Sequence, residues 1–241
     1  MPPNNNARAQ LPWRAPHRFD RWNGLRNSAR KQISGSNVQI FFKENLAILA
    51  VPKTGTTAYE RTLRPHADIV FAKGRKHMTA GQYHNKTSKF LRRLYGISPE
   101  VLAVMRNPLE QLRSWYRYRS RLANAGHGTA GISFDAFVEA VLQDDPPLFA
   151  QIGSQHHFLT LRDGRLPVHH LFAYENQNQF RKFLCQRFDQ QLEFRPQNVS
   201  PAKQAPLSPE IEARLRQVRA KEFELYQRLR DSGGYLHQQN L

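Results

Sequence analysis

AILAVPKTGTT, residues 47–57, begins as an apolar run, stops at Pro52 and opens into Lys53, Thr54, Gly55, Thr56 and Thr57. An apolar run ending in a small, hydroxyl-rich turn reads as a buried strand, a loop and then the start of a helix. Such a junction suits an anion. The first backbone N–H groups of a helix have no partner within it, and the helix dipole favours negative charge there. Gly55 lets a phosphate approach the backbone, Thr56 and Thr57 offer hydroxyl donors, and Lys53 adds a full positive charge. The order differs from a Walker A loop, whose lysine follows its glycines, because here Lys53 precedes Gly55.

Outward from this stretch, VQIFF (38–42) and LAILAV (46–51) flank the polar KEN (43–45), which predicts a hairpin delivering its second strand into the loop. Residues 56–64 predict the first helix, stopped by Pro65, and DIVFA (68–72) predicts a further short buried strand followed by KGRKH (73–77). Thr79 is placed to cap a helix reaching Tyr95, with Phe90, Leu91 and Leu94 at helical spacing and Gly96 as its stop. VLAVM (101–105) is another strand, followed at once by Arg106, Asn107, Pro108 and a strong helix expected to end at Gly126. Ser133 caps a helix over 134–143, residues 166–176 read as a strand with a turn, and 179–188 as an amphipathic helix. A Pro-rich loop over 196–209 then leads into one long closing helix over 210–230.

This alternation predicts an α/β fold: a single P-loop-like domain whose central parallel sheet is flanked by helices. Ligands of such sheets sit beyond the carboxyl ends of the strands, where PKTGTT, KGRKH and MRNP all occur. Three chemically loaded turns therefore converge on one edge.

The 241 residues fit one domain, residues 37–241, preceded by a basic arm over 1–36 that is rich in Pro, Asn and Arg and expected to be disordered. Thirty-six Lys and Arg against 19 Asp and Glu give a formal charge of +17, a field that attracts polyanions without choosing among them. No apolar stretch approaches the length of a membrane span, and the first residues lack a signal-peptide core. The single cysteine, Cys185, excludes an internal disulfide and a cysteine metal cluster. Cytoplasmic location is the default expectation, with peripheral membrane contact left open. The His156–His157 and His169–His170 pairs would diverge in a helix or strand, and no metal site is expected.

PKTGTT resembles the 5′-phosphosulfate loop of sulfotransferases that use 3′-phosphoadenosine-5′-phosphosulfate (PAPS). VMRNPLEQLRSWYRY (104–118) resembles the 3′-phosphate element of the same family: a strand, then RNP, then a helix with a serine eight residues after the arginine. Residues 155–159, 163–168, 173–176 and 197–200 are similar to later landmarks of the carbohydrate-type members, especially bacterial ones. The resemblance implies PAPS as donor and a carbohydrate or glycolipid hydroxyl as acceptor, with no metal and no specific nucleic acid. It implies that Lys53 stabilises the leaving phosphate and that Lys53, Thr54, Gly55, Thr56 and Thr57 hold the 5′ end. Arg106 and Ser114 then hold the 3′ end, and His77 is the base.

Imidazole suits proton removal near neutrality. His66 and His84 are weaker candidates because neither follows a strand, and Glu60 reads as a solvated charge on the first helix. Lys73, Arg75 and Lys76 could serve nucleotide or an acidic acceptor, or simply be exposed. Arg113, Arg117 and Arg121 form a basic helix stripe, and Trp115, Tyr118 and Leu122 an apolar one expected in the core. Asn198 and Ser200 lie in a loop where the family often reaches its ligands. Two other readings compete: a noncatalytic polyanion or nucleic-acid binder, favoured by the charge, and a P-loop phosphotransferase. The first leaves the ordered motif pair unexplained. The second lacks both the lysine order and an acidic strand end for magnesium.

Overall fold

Strands that are apolar at every position are covered on both faces, and VQIF and LAI are close to this kind. In the computed structural model they form β1 (Val38–Phe41) and β2 (Leu46–Ile48), fully buried and paired antiparallel across a four-residue turn. The structure describes residues 37–72, 77–122, 126–194 and 204–239, all within one compact unit, Ser34–Leu241. The expected arm over 1–36 lies outside the described residues. After β2 come α1 (Thr56–Leu63), β3 (Ile69–Phe71), α2 (Ala80–Gln82), α3 (Ser88–Tyr95), β4 (Glu100–Met105), α4 (Pro108–Arg119) and α5 (Phe134–Val141). The chain continues through α6 (Gln155–Leu159), β5 (His170–Ala173), α7 (Gln177–Arg187), α8 (Pro209–Val218), α9 (Ala220–Asp231) and β6 (Tyr235–His237).

The six strands form one sheet in the order β3-β1-β2-β4-β5-β6. The sheet keeps the expected parallel pairing at its centre but is mixed at its margins. β4 lies parallel to β2 and β5, whereas β1 pairs antiparallel with β2 and β3, and β6 antiparallel with β5. The four-residue turn at 42–45 reverses β1 into β2, and Gly233 and Gly234, with φ of 74° and 84°, turn the chain from α9 into β6. β2, β3, β4 and β5 nevertheless share one direction, so their carboxyl ends share one edge. β3 is half-buried at the margin, not buried as expected.

Alternate residues divide the sheet between two cores. Ala47, Leu49, Val101, Ala103, Met105 and Leu171 pack with Leu91 of α3, Phe158 of α6 and Leu225 and Leu229 of α9. On the opposite face, Ile48, Leu102, Val104 and Phe172 pack with Tyr59 and Leu63 of α1 and Phe180 and Leu184 of α7. A third cluster joins Leu112 and Tyr116 of α4, Phe137 of α5 and Leu215 of α8.

Three helices depart from expectation. Thr79 caps α2 with a capping box and Gly96 ends α3 with φ 68°, but a π turn over Tyr83–Thr87 separates the two helices. That wider turn shifts the phase of α3, so Leu91 enters the core while Phe90 and Leu94 face out. α4 stops at Arg119, well short of Gly126, because Thr129 returns to bond the carbonyls of Tyr116 and Arg119. The long closing helix is broken at Arg219 (ψ 28°). α8 belongs to the α4–α5 cluster and α9 to the sheet face, and one straight helix cannot follow both.

At the amino ends of β4 and β5 a polar knot joins five segments. Glu100 Oε2 accepts from His170 Nε2 at 3.1 Å and closely from Arg187 Nη2. The other ring nitrogen of His170 meets the Tyr235 hydroxyl at 2.8 Å, and Arg187 Nε donates to the Glu44 carbonyl at 2.7 Å. Desolvation alone would raise the Glu100 carboxyl, but the bonds from His170 and Arg187 outweigh it and hold it below its ordinary value.

Candidate anion-binding site

Beyond β2 the chain turns on two residues in the left-handed region, Lys53 (φ 67°) and Gly55 (φ 71°). Gly55 is the N-cap of α1, an arrangement that aims the first backbone N–H groups of the helix at the sheet edge without a capping side chain. Thr54 is buried and its hydroxyl donates to the Val51 carbonyl at 2.9 Å, so it stiffens the loop. Gln111 of α4 adds a second tie, donating to the Pro52 carbonyl at 3.0 Å.

Gln111, Ser114, Trp115 and Tyr118 recur at the spacing that places them on one side of α4. That side faces the loop. The Lys53 ammonium lies 4.2 Å from the ring centre of Tyr118 and 5.6 Å from that of Trp115. Trp115 and Tyr118 therefore face the site: Trp115 also packs against the α4–α5 cluster as the sequence suggests, whereas Tyr118 belongs to no core cluster among the described residues. The buried apolar members of α4 include Leu109, Leu112 and Tyr116, which sit a step away around the helix. Burial, and then the charges of Arg106 and Arg121, pull the Lys53 ammonium down to about 8.

Arg106 follows the last residue of β4, and its Nη1 donates to the Lys53 carbonyl at 3.4 Å. The two motif residues, 53 positions apart, are thus in direct contact. Its guanidinium also lies 4.5 Å from the Tyr174 ring centre, yet its buried Nε has no hydrogen-bond partner. Among the described residues neither Lys53 nor Arg106 has a carboxylate partner. Gathered cations and an orphaned buried donor fit an anion.

The backbone of Arg106 is clamped by the buried Gln155, whose side chain accepts from its N–H at 2.9 Å and donates to its carbonyl at 2.8 Å. Gln155 is held in turn by the buried Glu222 of α9. Asn107 caps α4 through Leu109 and Glu110, and its own N–H donates to Glu175 at 3.0 Å. Tyr174 bridges the halves of the site. A Cβ on Gly55 would come within 2.8 Å of its ring. Gln155, Tyr174 and Glu175 fall within the landmarks at 155–159 and 173–176, but the sequence assigns them no role; the available signal is an aromatic followed by a carboxylate just past the apolar run of β5.

His77 is half-buried, and its Nδ1 lies 2.9 Å from the Ala50 carbonyl, which can only accept. The ring is thereby tied to the end of β2, three residues before Lys53. Ser114 is buried on the loop-facing side of α4. Thr56 is buried and Thr57 half-buried in the first turn of α1. Lys73, Arg75, Lys76, Asn198 and Ser200 lie outside the described residues.

Glu60 is not the solvated charge expected of it. It is buried, and its carboxylate accepts from Asn37 at 2.8 Å and Arg64 at 2.9 Å. Arg113 leaves the basic stripe to bond Glu110 and the Ala205 carbonyl. His66 is on the surface against Gln190 and Phe188. Among the described residues no group of three His, Cys, Asp or Glu could hold a metal, and no helix is long and apolar enough to cross a membrane.

Compared with protein-family models, curated proteins and solved structures, the chain matches none significantly. Its functional reading therefore rests on the site and the motifs that build it.

Proposed function

We propose that the chain is a PAPS-dependent sulfotransferase that moves a sulfuryl group to a hydroxyl of a carbohydrate or glycolipid. The contact between Lys53 and Arg106, cations from the two resembling motifs that have no carboxylate partner among the described residues, carries this reading. When bound, the donor supplies an activated sulfuryl group and a leaving phosphate that gains charge. The chain's own residues have matching tasks. The first amides of α1, with Lys53, hold one phosphate end, and Arg106 with Ser114 the other. A lysine lowered to about 8 stays largely charged at neutrality and stabilises developing negative charge. His77, its Nδ1 tied to the Ala50 carbonyl at the sheet edge, serves as the base for the acceptor hydroxyl.

Thermal shift with adenosine 3′,5′-bisphosphate, compared with ATP plus magnesium and with random DNA, tests the reading. The bisphosphate should raise the melting temperature, and Arg106→Ala should abolish that rise. A rise with ATP and magnesium alone would refute the proposal in favour of a phosphotransferase. His77→Ala should keep the bisphosphate shift while cutting turnover by roughly a hundredfold or more. Turnover near wild type would remove His77 from the role of base.

A further inference from the structure

Helix α3 shows a surface that the anion site does not explain. Its three large apolar side chains Phe90, Leu94 and Tyr95 are 47%, 61% and 46% exposed, while Leu91 alone anchors the helix in the core. Phe90 and Tyr95 touch edge to face, and Tyr95 leans on Phe42, so the patch is contiguous. Lys86, Lys89, Arg92 and Arg93 surround it, all exposed, and none of them makes an ion pair among the described residues. Lys89 and Arg93 lie four apart on α3 beside Phe90 and Leu94, and Lys86 precedes them in the π turn. No Asp or Glu occurs between Asp68 and Glu100.

We propose that α3 seats this protein on an anionic lipid bilayer, with Phe90, Leu94 and Tyr95 entering the headgroup boundary and the four cations facing lipid phosphates. Charge complementarity selects the occupant. A wholly basic helix repels a second copy of itself, whereas a bilayer offers both negative charge and an apolar layer just beneath it. Duplex nucleic acid offers the charge but gives Leu94 nothing apolar to enter. The inference stands independently of the nucleotide chemistry, because no residue of the anion site contributes to it.

Flotation of the full chain with vesicles tests it, using phosphatidylcholine alone and phosphatidylcholine with about 30% phosphatidylglycerol. Wild type should float with the anionic vesicles only, and release as salt rises towards about 0.5 M. Phe90→Ser/Leu94→Ser and Lys89→Glu/Arg93→Glu should each lower the bound fraction roughly tenfold while the melting temperature holds. Should either variant fold poorly, Leu94→Cys in a Cys185→Ser background, carrying a polarity-sensitive dye, gives a second readout: the emission should shift to the blue on anionic vesicles only. Undiminished binding by both variants would assign the contact to another surface, such as residues 1–36, and overturn the proposal. So would absence of vesicle binding with a wild-type dimer that Leu94→Ser makes monomeric. Equal loss of duplex DNA binding in the charge variant, with no vesicle binding by wild type, would replace the bilayer by nucleic acid.

Discussion

Lys53 carries the most conflict of any residue in the site, since its backbone is left-handed and its ammonium is desolvated beside two other cations. Its folded value of about 8 lies below the ordinary lysine value of 10.5, so between those limits the unfolded chain binds more protons and stability rises with pH. Below about 8 the charged lysine opposes folding in full. Lys53→Met should therefore raise stability at pH 7 by ~1–2 kcal/mol in urea titration, while weakening bisphosphate binding at least tenfold by calorimetry. In wild type, that binding should weaken as pH climbs through about 8 and should take up a proton there, which calorimetry in buffers of different ionisation heat will read. Much of the site is legible in the sequence because it is written in local order: PKTGTT and RNP each carry their charge at a strand end. The tasks of Tyr174 and Gln155, though both sit in landmark segments, are not legible. Their roles come from contacts across the sheet edge, Tyr174 with Gly55 and Arg106 and Gln155 with Arg106, which no spacing along the chain reveals.

At the scale of elements, the loop and α1 meet at Gly55, where two demands coincide: φ of 71° and the Tyr174 ring within 2.8 Å of any added Cβ. Gly55→Ala should cost ~1–3 kcal/mol in thermal or urea melts. Adding Tyr174→Ala should recover the steric part only, because the backbone strain remains. Elements defined by their own caps are readable from the chain. Thr79, Asn107 and Ser133 each hold their helix by a side chain, and Gly96 closes α3. Elements whose limits depend on distant packing are not. The end of α4 waits on Thr129, the break at Arg219 on two different cores, and the exposure of Phe90 on a π turn that periodicity cannot register. The three-residue β6 exists because Gly234 and β5 recruit it, a signal too short to read alone.

For the whole molecule, the sheet separates two electrostatic regimes. One end gathers Lys53, Arg106 and Arg121, none of them in an ion pair with a carboxylate among the described residues, and the other ties Glu100, His170, Arg187 and Tyr235 into a satisfied set. Glu100 lies below its ordinary value, so its stabilisation is present above the unfolded carboxyl pKa and is lost as pH falls through the folded one. His170 is lowered by burial and acts in the same direction, because the unfolded chain takes its proton first as pH drops. Both effects make stability fall with acid. Glu100→Gln should flatten the decline that wild type shows in urea melts below about pH 4.5. The knot at the amino ends of β4 and β5 has a further consequence in hydrogen exchange. It crosslinks the β1–β2 turn, β4, β5, β6 and α7, so amides of Val101, Leu102 and Leu171 should open only with global unfolding. The loop around Lys53 should exchange through smaller local openings, giving a gradient of protection that runs along each central strand and is slowest where the charges are balanced.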